Sequence, residues 1–198
     1  MLKISFLPSI GRLASNLYLS NMKKTFLCVM LMLFIGGTTT LNAQSEIQWL
    51  EIAEIETAVA NDPKPVFIDL WTSWCGWCKR MDATTFKDEK IIAYINANFH
   101  PVKFDGEHKS DVLFKGKTYK FVNKGRRGYH ELAAAILQGK MSYPTFVVLN
   151  EEFQIMQSLP GYRTADEFLP ILTFIGDRHY ENTSWEDFKS AWDGKSKR

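Results

Sequence analysis

The pattern of apolar and polar positions divides the chain beyond residue 43 into alternating strands and helices. Val66 to Trp71, "VFIDLW", is a nearly continuous β-prone apolar run broken only by Asp69. It predicts a strand buried on both faces, as in a parallel or mixed sheet. Ahead of it, "IQW" at 47–49 predicts a short strand, and Ile52, Ile55 and Val59 fall at near-helical spacing before "DPKP" breaks the chain. After Cys75, the residues Lys79, Arg80 and Met81 favour helix. A break near Thr84 and Thr85 separates them from a second helical stretch carried by Asp88, Ile91, Ile92 and Ile95, and "FHPVKFD" (99–105) predicts the next strand. Strand, helix and strand in that order imply a right-handed parallel crossover, which places the start of the helix, and so Cys75, at the carboxyl edge of the sheet.

The next segment, 106–140, reads as an insertion. "VLFKGKTYKFV" alternates as a hairpin around Lys115-Gly116-Lys117, "NKGRRG" closes it, and "YHELAAAILQG" predicts a helix ending at Gly139. "TFVVLNEEFQIMQSL" predicts two antiparallel strands joined through Asn150, Glu151 and Glu152. Thr164 and Glu167 are spaced as a capping box for a last core helix, which Pro170 should kink and which Gly176 should follow. "TSWEDFKSAW" (183–192) predicts a further amphipathic helix in a C-terminal extension, 177–198, with Trp185, Phe188 and Trp192 on one side, packed back on the domain in preference to being fitted to a partner. There is no internal repeat and no low-complexity linker.

Residues 1–43 read as an upstream segment and an export signal. Met22 is the expected working start, Lys23 and Lys24 form a positive n-region, Thr25 to Ile35 is a short apolar stretch, and Leu41-Asn42-Ala43 offers a cleavage point. The apolar stretch is too short to span a bilayer. Cys28 follows Leu27, where a lipid-anchor cysteine would need a small residue, so a lipid anchor is discounted. Residues 44–198 are expected to form one domain, exported to the periplasm or another extracytoplasmic space. The leader holds four of the 24 basic side chains and none of the 22 acidic ones, so the remainder carries a net charge of about −2. Its charges are interspersed, so nothing argues for a nucleic-acid surface and no nucleic-acid partner is expected.

Only Cys75 and Cys78 remain beyond the leader. A scattered disulfide framework is therefore excluded. As a staple, a four-residue ring is inefficient, stabilising by roughly 2 kcal/mol against about 3 for a fifteen-residue loop. Zinc would need two further ligands, and His100, His108, His130 and His179 are scattered singly, so no metal is expected. Haem attachment would need a histidine where Lys79 stands. Reversible dithiol chemistry is the reading that fits. Cys75 at a helix N-terminus would have its thiolate stabilised by backbone N–H groups and the helix dipole, making it the exposed nucleophile. Cys78, one turn on and on the same face, would resolve a mixed disulfide.

"VFIDLWTSWCGWCKRM" resembles the active-site strand, turn and helix of the thioredoxin superfamily, and the likeness extends from about Glu46 to Gly176. The resemblance implies an α/β thioredoxin fold: a central mixed β-sheet flanked by helices, here with a hairpin-containing insertion and a C-terminal helical extension. It implies that Asp69 is the buried acid that handles the proton of the resolving thiol and that Lys103 pairs with it. It also implies that Pro144 in "SYPTFVV" adopts a cis bond beside the dithiol and that Gly161 is the glycine after the final hairpin. Trp74, Gly76 and Trp77, with Tyr143 and Pro144, would form the surface on which an extended substrate segment pairs. Family members with Gly-Pro between the cysteines differ from Gly76-Trp77 here, and this sequence is closer to thioredoxin-like proteins of exported or membrane-linked thiol exchange.

The expected function is thiol-disulfide exchange with exported protein substrates, as reductase more than oxidase, with a membrane-linked electron partner and no metal or organic cofactor. A redox-inactive binding or chaperone module on the same fold is the alternative. The insertion carries Lys109, Lys115, Lys117, Lys120, Lys124, Arg126 and Arg127, read as a solvated hairpin in preference to an anionic docking patch.

Overall fold

The computed structural model describes residues 45–125 and 127–196. Along the chain follow α1 (Ile55–Asn61), β1 (Val66–Trp71), α2 (Gly76–Ala83), α3 (Glu89–Asn98), β2 (His100–Asp105), β3 (Val112–Phe114), β4 (Lys117–Tyr119), β5 (Phe121–Lys124), β6 (Arg127–His130), α4 (Glu131–Ile136), β7 (Thr145–Leu149), β8 (Ile155–Pro160), α5 (Ala165–Gly176) and α6 (Trp185–Ser196). The export-signal reading of 1–43, Cys28 and Arg126 all lie outside the described residues.

β1 is interior in a four-stranded sheet of order β2-β1-β7-β8, parallel to β2 and antiparallel to β7, while β7 and β8 are antiparallel. Burial on both faces explains why its sequence is apolar almost throughout. Alternation sorts it: Val66, Ile68 and Leu70 join Ile55, Val59, Leu132 and Ile136 on the face covered by α1 and α4. Phe67 points the other way, towards Met81 of α2, Ile91 and Ile95 of α3 and Phe168 and Leu172 of α5. There Phe67, Phe86, Phe146 and Phe168 pack ring on ring at centroid distances between 4.9 and 6.5 Å. Each such burial stabilises by roughly 2–3 kcal/mol, which fixes the platform on which α2 rests. Asp69 and Trp71 share the parity of Phe67, so they belong to this second face.

Helix ends follow their caps. The Asp88 side chain accepts from the N–H groups of Lys90 and Ile91 to start α3, and the Thr164–Glu167 capping box starts α5. Pro170 is buried inside α5, which continues to Gly176. Gly176 is the last residue of that helix and not its successor; a Cβ there would come within 2.7 Å of the Tyr94 hydroxyl on α3, which accounts for the glycine. α6 packs back as expected, with Trp185 and Phe188 at 5.4 and 5.2 Å from Phe174.

Three local expectations change. "IQW" forms no strand; Leu50 makes a single parallel bridge to Val102 before a 3-10 turn over Ile52–Glu54. The insertion holds two hairpins and not one. β3 and β4 turn through Lys115 and Gly116, both with positive φ as a type I′ turn requires, and Asn123 and Lys124 pair with Gly128 and Arg127 in a second hairpin, β5–β6. The helix expected from Tyr129 begins only at Glu131, because Tyr129 and His130 belong to β6 and the His130 ring caps α4 by accepting from the N–H of Leu132.

Candidate active site

β1 brings the chain to the carboxyl edge of the sheet, and α2 starts there. Cys75 is the N-cap of α2, with extended backbone (φ −77°, ψ 104°) and its Sγ accepting from the N–H of Cys78 at 3.1 Å. A sulfur takes the place of the usual capping oxygen. Cys75 and Cys78 are joined in a disulfide, with Cα atoms 5.3 Å apart. The exposed Cys75 expected from sequence is corrected: the residue is only 5% exposed, because the disulfide folds its Sγ back over the first turn of α2. Cys78 is also buried. The neighbouring tryptophans face solvent instead, Trp74 at 46% and Trp77 at 59% exposure, and Gly76 between them has open space around its Cα.

On the sheet face that α2 covers, Asp69 is buried, and its Oδ1 has no hydrogen-bond partner among the described residues. The parallel register sets Lys103 of β2 directly beside it, with Nζ 3.4 Å from Oδ2. Burial dominates the attraction of Lys103 and, with a contribution from Asp82, pushes the carboxyl up to about 7. The Lys103 ammonium also binds Asp82 of α2 and is ringed by Trp49, Trp71 and Phe86 at 5.5 to 5.8 Å from their centroids. Sequence reasoning missed Asp82. The signal was available, since Asp82 lies four residues beyond Cys78 and therefore on the same side of α2.

The second wall comes from the loop before β7. The Tyr143–Pro144 bond is cis, and the carbonyl of Pro144 accepts from the N–H of Gly161 at 2.8 Å. Gly161 has φ +91°, a conformation open to glycine and strained for other residues. The Tyr143 ring lies edge-on to Trp74 at 5.8 Å and fills the space where Gly106 lacks a side chain. Burial, with Asp105 and Glu107 nearby, pushes its phenol up to about 12, so it stays neutral. On the other flank Trp77 meets Tyr162 at 5.4 Å, and the Arg80 guanidinium lies over that tyrosine. Arg127 of β6 sits over the Trp74 ring at 4.3 Å. Neither Tyr162 nor this placement of Arg127 was legible from sequence, because each depends on how distant loops converge.

The structure thus gathers Cys75, Cys78, Trp74, Gly76 and Trp77 at the start of α2. It sets Asp69 and Lys103 on the sheet face beneath that helix, with Tyr143, Pro144 and Gly161 on the adjoining loops. Among the described residues no group of three or more His, Cys, Asp and Glu side chains is arranged to hold a metal ion, and no helix is long and apolar enough to cross a membrane.

A cysteine pair opening the helix after an interior strand of a mixed four-stranded sheet, above a buried acid, defines a protein of thioredoxin fold. The particular family follows from comparison. The model of the family described as "Thioredox_DsbH: Protein of unknown function, DUF255" matches residues 39–157, and the chain belongs to that family. It is 32% identical over 72 residues to the uncharacterized protein B0495.5 of Caenorhabditis elegans, covering 36% of this chain and 10% of that protein. It is 31% identical over 62 residues to the thiol:disulfide interchange protein DsbD of Campylobacter jejuni, covering 31% of this chain and 11% of that protein. These matches span about a tenth of each relative's length. A solved structure, that of a thioredoxin-fold protein from Helicobacter pylori, superposes with a TM-score of 0.52 at 19% identity, covering 78% of this chain and 91% of that one.

Proposed function

We propose that the protein is an extracytoplasmic reductase of disulfides in exported proteins, re-reduced by a membrane-linked dithiol donor. The observation that carries this reading is the buried Asp69 on the face beneath a Cys-Gly-Trp-Cys disulfide at a helix N-terminus. When the pair is reduced, the N–H of Cys78 and the N-terminal dipole of α2 favour a thiolate at Cys75. That thiolate attacks one sulfur of a client disulfide, forms a mixed disulfide and expels the other client sulfur as a thiolate. Cys78 then gives up its proton, with Asp69 as acceptor held ready near neutrality, and attacks Cys75 Sγ. The client leaves with two thiols and the protein keeps the disulfide, so the dithiol alone supplies the electrons and no cofactor is required. The leader pattern and the likeness to DsbD, a thiol:disulfide interchange protein, support the compartment and the chemistry.

The test is a redox titration with a trapping variant. The dithiol is expected to equilibrate near the thioredoxin range of roughly −270 mV, away from strong oxidants at about −120 mV. Cys78→Ser should accumulate mixed disulfides through Cys75, which Cys75→Ser should not. A potential near the oxidant value removes the reductase direction. Absence of any mixed disulfide removes the exchange reading and leaves a binding module that uses the exposed Trp74 and Trp77.

A further inference from the structure

The basic side chains of the insertion differ in where their charge is committed. Lys109 lies 3.4 Å over the ring of Phe121, Lys115 donates to the carbonyl of Glu152, Lys117 covers Tyr119 and Lys120 pairs with Asp111 at 3.4 Å. Arg127 is exposed, enters no ion pair with a carboxylate among the described residues, and has its guanidinium over Trp74, the chain neighbour of Cys75. A guanidinium seated on an aromatic face keeps its N–H donors around its rim, in a fork that matches a carboxylate. Its support is fixed as well. β6 pairs with β5 throughout, and the N–H of His130 at its end donates to the carbonyl of Gly106, the residue against which Tyr143 packs. Asp105 and Glu107 lie near enough to the Tyr143 phenol to raise its pKa.

We propose that Arg127 is a specificity-determining residue that selects client disulfides flanked by an acidic residue. This rests on the exchange reading above and deepens it. While the Cys75 thiolate attacks the client sulfur and the client's other sulfur departs with the electron pair, the client backbone runs out over Trp74. At about 3.3 Å per extended residue, a side chain one or two positions from the client cysteine reaches the guanidinium. Attraction of Glu or Asp there, and repulsion of Lys, bias the encounter and the mixed disulfide alike.

The experiment uses the reduced full chain with three synthetic peptide disulfides identical except for Glu, Ser or Lys beside the cysteine. Second-order rate constants are read by stopped-flow tryptophan fluorescence. The wild type should prefer Glu over Lys by about tenfold at low ionic strength, the sum of a surface attraction and a matching repulsion, with the ratio shrinking in salt. Arg127→Gln should bring the ratio near one and Arg127→Glu should invert it. Both variants should reduce the neutral hydroxyethyl disulfide at the wild-type rate, which shows that the dithiol is intact. The same Glu-to-Lys ratio in wild type and Arg127→Glu would overturn this inference alone. Wild-type protein inert towards hydroxyethyl disulfide would remove the exchange reading and the inference with it.

Discussion

Asp69→Asn isolates the cost of the buried carboxyl. Asp69 is 2% exposed, one oxygen has no partner among the described residues, and the other lies 3.4 Å from the Lys103 ammonium. Burial outweighs that cation, and the folded carboxyl keeps its proton up to about 7, whereas in the unfolded chain it loses it near the ordinary value of about 3.9. Between these values the native state holds a proton that the unfolded state lacks. Stability therefore falls as pH rises from about 4 to about 7, by at most about 1.4 kcal/mol per pH unit, and is level above that window. The whole contribution is on the order of 4 kcal/mol. Asparagine has the shape of the protonated acid and cannot ionise. The variant should match the wild type within about 1 kcal/mol at pH 4 and exceed it by an amount that grows to about 4 kcal/mol at pH 8. Urea denaturation of the oxidised protein, followed by tryptophan fluorescence at pH 4, 6 and 8, reads the difference directly. A difference that does not change with pH would refute the reasoning, because a purely steric or packing effect of the substitution has no proton in it.

Two further substitutions probe the supports of the site. Gly106→Ala would place a Cβ 2.1 Å from the Tyr143 hydroxyl and 2.5 Å from its ring, so Tyr143 must leave its place beside Trp74. A loss of about 1–3 kcal/mol in urea denaturation is expected, with slower reduction of peptide disulfides and unchanged reduction of hydroxyethyl disulfide. Thr164→Ala removes the side-chain half of the capping box of α5, since Thr164 Oγ1 accepts from the N–H of Glu167 and donates to its carboxylate, and leaves the backbone N–H of residue 164 donating to that carboxylate. It should cost about 1 kcal/mol in the same assay and leave exchange kinetics untouched, because Phe168 and Leu172 anchor α5 in the core.

What was legible in the sequence was whatever local pattern determines. The apolar run around Asp69 gave an interior strand, Thr164 and Glu167 gave a helix start, and two cysteines three residues apart after a strand gave a dithiol at a helix N-terminus. The pairing of Lys103 with Asp69 was implied by the resemblance to thioredoxins, and the parallel register sets the two side by side. Features set by tertiary convergence were not legible. The burial of Cys75 depends on how its surroundings pack around it, and Arg127 reaches Trp74 from β6, a strand far along the chain. Gly176 shows the same limit: punctuation in the sequence, it is a packing contact between α5 and α3 in the fold.

Asp82 alters how the buried acid works. Lys103 facing Asp69 draws the acid down, against a larger upward push from burial. The ammonium is also shared with Asp82, which is 41% exposed on the helix that carries the cysteines. Asp82 takes part of the cation and also repels a charge on Asp69, so both effects act with burial to keep the proton on Asp69 near neutrality. An acid poised there exists in both forms at physiological pH, the condition under which one group can take a proton from Cys78 as it becomes a nucleophile and return one when the cycle runs back. Lys103 joins β2 to α2 and places this adjustable acid under the helix that bears the dithiol. Its two carboxylates thus couple the charge of an exposed residue to a buried proton on the central strand.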